Sequence, residues 1–231
     1  GRQDEVASRG VNAMLLSAWR NQVPARSGAD AVGALKQELL RLGSMVEESA
    51  VLARAVLSGP DMEAAPQIRR GDDRIDKLYR RLEEECADLL CHKRLSQTQV
   101  REVLSYMHCL RDLERFGDYC KELATLGEQL LPAQPVMLRD EVLTMLDRCR
   151  SLLALALNSL SEEDLSAGAR LQALDDLVDR DYERLVEELT QTCTSSEFRD
   201  HQLMLVLVLR CIERMADHAV NVSQRVARRE R

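Results

Sequence analysis

Apolar residues recur along most of this chain at helical spacing. Leu35, Leu39, Leu42, Val46, Ala53 and Val56 fall three, four or seven positions apart, which gathers them on one stripe of a helix. The spacing predicts a helix over residues 34–58, stopped by Ser58-Gly59-Pro60. A second helix is expected over about residues 61–92, with an uneven start around Pro66. A third begins after Leu95, with Ser96 as its N-cap, and runs to about Leu131. Pro132 and Pro135 mark the centre of the chain. The plan then repeats, with helices over about residues 138–160, 162–192 and from 196 into the tail; Ser161 is the expected cap of the middle one. Each half reads as a short helix followed by two longer ones, and short loops make that an antiparallel three-helix bundle. Residues 1–33 read as an extension, with a short amphipathic helix over 6–19 and a linker over 24–30 in which Ser27 and Gly28 act as breakers. The expected domains are therefore the extension 1–33, a first bundle 34–131 and a second bundle 132–231.

Composition supports an all-α architecture. Only 3% of the 231 residues are aromatic, and Leu, Ala, Glu and Arg dominate, so helix formers outweigh strand formers. No Asn-Gly or Asp-Gly turn separates two alternating apolar runs, which argues against hairpins. A net charge of −7 argues against a general nucleic-acid binder; the basic end at 225–231 reads as a frayed helix terminus. The most apolar stretch, 203–209, is far shorter than the roughly 20 residues that span a bilayer, so no direct membrane insertion is expected. No basic–apolar–small signal layout opens the sequence, and the expected location is cytoplasmic, at most peripheral to a membrane through partners. The seven Cys are odd in number and form no Cys-x-x-Cys. They read as small buried hydrophobes in a reducing compartment rather than as disulfides or a zinc site.

One charged signature occurs twice. Arg111-Asp112-Leu113-Glu114-Arg115-Phe116-Gly117-Asp118 returns 99 residues later as Arg210-Cys211-Ile212-Glu213-Arg214-Met215-Ala216-Asp217. Both read Arg-x-aliphatic-Glu-Arg-x-small-Asp, with Glu and Asp four apart on one helix face. A period near 100 residues is too long for a stacked solenoid unit and indicates a tandem duplication. The preceding helices match as well: Asp72-x-x-Ile75-Asp76 in one half, Asp175-x-x-Val178-Asp179 in the other. Adjacent antiparallel helices can bring each pair of pairs face to face. The candidate metal ligands are thus Asp72, Asp76, Glu114 and Asp118 in the first half, and Asp175, Asp179, Glu213 and Asp217 in the second.

Four carboxylates in one patch repel; two charges ~5 Å apart at an effective dielectric near 20 cost ~3 kcal/mol. Protons, metal ions or the flanking Arg111, Arg115, Arg210 and Arg214 must offset that cost. All-oxygen ligands suit Mg, Mn, Ca or Fe before a thiolate-bound Zn. The small residues Gly117 and Ala216 permit close helix approach. None of His92, His108, His201 and His218 forms a Glu-x-x-His pair, which argues against a ferritin-like di-iron oxidase. His218 is turned about 100° from the face of Asp217 and reads as a surface or packing residue. No nucleophile elbow and no phosphate-binding loop is present, so catalytic and organic-cofactor residues are not assigned and an enzyme is not expected.

These residues resemble the PhoU family of bacterial phosphate-signalling regulators. The two signatures are similar to its repeated Leu-Glu-Arg-Ile-Gly-Asp motif. The segments Leu42-Gly43-Ser44-Met45-Val46-Glu47, Gly71-Asp72 through Leu78, Glu84-Glu85-Cys86, Asp175 through Glu183, and Asn221 agree in the same way. The resemblance covers about residues 34–228. It implies a six-helix fold of two three-helix bundles related by a pseudo-twofold, with acidic sites that hold iron or zinc clusters. It implies a negative regulator of phosphate-starvation genes that acts by binding the ATPase of the phosphate ABC transporter and a sensor histidine kinase. A homodimer is compatible with it. The sequence departs from the motif at Phe116 and at Met215-Ala216, and Glu122 stands where the second half has Asn221. Two other functions fit the same residues: a regulatory domain associated with a sodium–phosphate symporter, and, in a different class, a carboxylate-metal hydrolase.

Overall fold

The structure, a computed structural model, describes residues 27–59, 61–130, 138–162, 164, 166–191 and 199–227. These form six α-helices: α1 Gly28–Ser58, α2 Ala64–His92, α3 Gln97–Leu130, α4 Arg139–Glu162, α5 Ala167–Gln191 and α6 Arg199–Ala227. No strand occurs among the described residues. The expected helix over 6–19, Pro132, Pro135, Cys193 and Ser196 lie outside them.

Two expected helix starts are corrected. The first helix begins at Gly28, ahead of the expected Ala34, and takes in residues that read as linker. Ser27 starts the helix instead of breaking it: its hydroxyl accepts the backbone N–H of Asp30 at 3.1 Å. Ser161 is not a cap, because α4 runs through it to Glu162. The chain turns at Asp164 instead. Its backbone N–H reaches back to the carbonyl of Ser159 at 3.1 Å, and its carboxylate accepts the N–H of Ser166 at 2.9 Å. Ser96 does cap α3, in a reciprocal box with Gln99: the Ser96 hydroxyl accepts the Gln99 N–H at 3.2 Å, and the Gln99 side chain accepts the Ser96 N–H at 2.9 Å. Pro66 falls in the first turn of α2, where a missing N–H costs no helical bond.

Helices α1, α2 and α3 each pack against the other two, and so do α4, α5 and α6. The two bundles join through α1 against α4 and α3 against α6. Both joints pair helices at equivalent places in the two halves, as a pseudo-twofold requires. Helices α2 and α5 touch only their own bundles. One apolar core runs through both halves, with Leu39 and Val46 of α1, Leu82 of α2, Phe116 of α3, Leu152 of α4, Leu185 of α5 and Met215 of α6 among its members.

The joints explain the placement of Gly43 and His218 in physical terms. Gly43 lies where α1 meets α4, and a Cβ there would run into the side chain of Leu157. At the other joint, Asp112 of α3 is buried and bonds His218 Nδ1 of α6 at 3.0 Å. His218 also stacks on Tyr119, with centroids 5.9 Å apart. It is a packing residue between bundles, as its position on the helix suggested. Cys86, Cys109, Cys120, Cys149 and Cys211 are buried free thiols. Burial pushes Cys86 and Cys211 up to about 12, so they stay neutral and are poor metal ligands at pH 7. Among the described residues, no helix is long and apolar enough to cross a membrane.

Candidate metal centres

Packing of α2 against α3 fixes the first acidic centre. Ile75 and Leu78 face the core from α2, and Leu113 and Phe116 face it from α3. The carboxylates between these apolar positions are therefore held at the seam where the helices meet. Carboxylate oxygens of Asp72, Asp76 and Asp118 lie within 4.8 Å of one another. Glu114 joins them from one turn earlier on α3. Its carboxyl is raised by burial first and then by Asp118 and Asp76, with Arg115 and Arg111 opposing. Asp118 is raised by burial and by Asp72 and Asp76, against Arg115 and Lys121.

Helices α5 and α6 build the second centre from the equivalent positions. Asp175 is buried and its pKa is raised to about 6, by burial first and then by Asp179, Asp217, Asp176 and Glu213. Burial and Asp217 raise Asp179. Burial, Asp217 and Asp179 raise Glu213, against Arg210 and Arg214. Among the described residues only Asp72, Asp76 and Asp118 bring carboxylate oxygens within 4.8 Å of one another. Glu114 lies near enough to feel their charge, and Asp179, Glu213 and Asp217 near enough to raise Asp175, but no three carboxylates of the second half meet that closely.

The flanking arginines hold the outer edge. Arg115 bonds Asp118 at 3.2 Å, Arg210 bonds Glu213 at 2.7 Å and Arg214 bonds Asp217 at 2.9 Å. Each arginine is about half exposed, where an ion pair contributes ~0–1 kcal/mol. Among the described residues no arginine bonds Asp72 or Asp175, the most buried carboxylates of the two centres.

Two features were missed by sequence reasoning. Lys121 donates to Asp72 from one turn after Asp118. The spacing Asp118-x-x-Lys121 places it on the right face, and that was the available signal. In the second centre, Asp175 Oδ1 is buried with no hydrogen-bond partner among the described residues. Glu122, on α3, lies near Cys211 of α6 across the bundle joint, and its charge helps burial to raise that thiol.

Gly117 is not required by a close helix approach. A Cβ there would meet Ile75 at 3.6 Å, an ordinary contact. Gly117→Ala is expected to stabilise the protein by ~0.5–1 kcal/mol in a urea melt, since Ala lowers the entropy cost of the helix. A loss of stability would show that α2 and α3 pack more tightly than this.

An all-oxygen set with a buried, unpartnered carboxylate oxygen fits a hard or borderline cation. The family model described as "PhoU domain" matches the chain twice, over residues 39–126 and 142–226. A phosphate-specific transport system accessory protein PhoU homolog of Synechocystis is 34% identical over 193 residues, covering 84% of this chain and 86% of that protein. The crystal structure of PhoU from Pseudomonas aeruginosa superposes with a TM-score of 0.81 at 26% identity, covering 85% of this chain and 95% of that one. The phosphate transport system regulatory protein PhoU of Streptococcus pneumoniae gives 0.79 at 27% identity, over 86% and 94% of the two chains. Each repeat of the family model contains one complete acidic centre. With two matched repeats, a relative at this identity and the same six-helix fold, the chain belongs to the PhoU family.

Proposed function

We propose that this protein is a cytoplasmic accessory regulator of phosphate uptake and phosphate-starvation signalling. It acts by binding, and its partners are the ATPase of a phosphate ABC transporter and a sensor histidine kinase. The observation that carries this reading is the doubled acidic centre set in two family repeats. The names of the relatives, as accessory and regulatory proteins of phosphate transport, support it.

In this reading Asp72, Asp76, Glu114 and Asp118 hold cations in the first centre, and Asp175, Asp179, Glu213 and Asp217 hold them in the second. A bound di- or trivalent cation supplies positive charge that cancels carboxylate repulsion and ties neighbouring helices together. The protein's own part is to aim the carboxylates. The core residues between them, Ile75, Leu113, Phe116, Val178, Ile212 and Met215, fix each helix in rotation. The partly exposed edge of each centre, with its arginines, is a charged surface for a partner to contact.

The full chain, used as bait on detergent-solubilised membranes of its host, should recover a phosphate-transporter ATPase or a sensor kinase. Deleting its gene should raise starvation-gene expression at adequate phosphate. Recovery of neither partner, together with unchanged expression, contradicts the proposal.

A further inference from the structure

The duplication invites a position-by-position comparison of the two centres. Asp72 corresponds to Asp175, Asp76 to Asp179, Glu114 to Glu213 and Asp118 to Asp217. The carboxylates are the same, but the cations around them are not. Three residues after its signature Asp, the first half has Lys121 and the second has Val220. The Lys121 ammonium pairs with Asp72. Val220 is buried and apolar and can offer Asp175 nothing. Asp175 Oδ1 accordingly has no hydrogen-bond partner among the described residues, although the residue is 92% buried.

The first centre pairs with three cations, Arg80, Arg115 and Lys121, and the second with two, Arg210 and Arg214. Their position matters more than their number. Arg210 and Arg214 bond the α6 carboxylates at the half-exposed edge, where pairs are weak and readily exchanged for water. Lys121 bonds the side chain of Asp72, which is only 5% exposed. That charge-assisted bond must be broken, and the ammonium moved aside, before an incoming cation can use the same carboxylate. The second centre carries no such cost. Its deepest carboxylate is already desolvated and has an oxygen without a donor.

We infer that the two centres are loaded unequally: the second takes up a divalent cation readily, whereas Lys121 acts as a built-in cation in the first and must be displaced from Asp72 before metal binds there. This rests on the metal reading of the acidic centres given above. Lys121 thus sets the threshold at which the first bundle responds to metal. One duplicated unit becomes a high-affinity site and a low-affinity site.

The test is a Mn2+ titration of the full untagged chain after chelator treatment, read by calorimetry and by the Mn2+ electron paramagnetic resonance signal. The parent should show a tight class of sites and a class at least about tenfold weaker. Lys121→Val, which copies the second half, and Lys121→Gln should each tighten the weak class by about tenfold or more. Lys121 is half exposed, so both variants should retain the helical circular dichroism of the parent. Asp175→Asn should remove the tight class and leave the weak one. Two classes of equal affinity in the parent, or a weak class that neither Lys121 variant changes, would overturn the inference while leaving the metal reading intact. No Mn2+ uptake by the parent or any variant would overturn the metal reading and this inference together.

Discussion

Asp175→Asn is expected to stabilise the metal-free protein at pH 7 by on the order of 2 kcal/mol, a figure already reduced for partial solvent screening. The folded state raises the Asp175 carboxyl from its ordinary value of 3.8 to about 6. Burial is the main cause, and the neighbouring Asp179, Asp217, Asp176 and Glu213 add to it. The sign follows from proton binding. Between about pH 4 and pH 6 the folded protein holds a proton at this site that the unfolded chain has released. Stability therefore falls as pH rises through that window, and above it the whole cost of a buried, unpaired carboxylate is present. Asparagine has nearly the same shape and no charge, so it removes the cost. The gain should be small near pH 4.5 and full near pH 7.5, in urea unfolding with chelator present. A divalent cation should stabilise the parent and not the variant, by the binding linkage. Equal stability of parent and variant at both pH values would show that Asp175 is better solvated than its burial indicates.

Phe116→Ala is expected to cost ~3–5 kcal/mol, the usual range for emptying a buried phenylalanine site. Phe116 is fully buried and is among the largest such side chains in the molecule. It sits between Glu114 and Asp118 in sequence but on the opposite face of α3. Its ring therefore anchors the face of α3 that turns those carboxylates toward α2. The loss should appear as a lower urea midpoint with an unchanged slope, because the continuous core couples both bundles in one transition. Cation affinity of the first centre should fall with it. A cost under about 1 kcal/mol would mean that neighbouring side chains collapse into the space.

Much of this architecture can be read from spacing alone. Leu35, Leu39, Leu42 and Val46 announce their helix by period, and all four are fully buried in it. The eight carboxylates can be matched between the halves from sequence because the i, i+4 spacing of each pair occurs in both, although the pairs stand four residues closer together in the second half. Ser27-Gly28 misled because the same residue types break helices and start them. The choice depends on whether the following N–H groups need an acceptor, and Asp30 supplied one that does. Ser161 failed in the opposite way: a good N-cap residue sits inside α4 because the backbone closes later, at Asp164. Contacts between helices were the least legible. Lys121 reads as one more solvated lysine until α2 is set beside α3. His218 and Asp112 are 106 residues apart, and only the joint between bundles brings them together.

Metal binding by oxygen ligands from paired helices is the central property of the protein in this reading. Crystals grown with Mn2+ and measured for anomalous scattering test that directly. The expected result is a peak between α5 and α6, bounded by Asp175, Asp179, Glu213 and Asp217, with a weaker one between α2 and α3. Anomalous density only at unrelated surface positions, or none at saturating Mn2+, would contradict it.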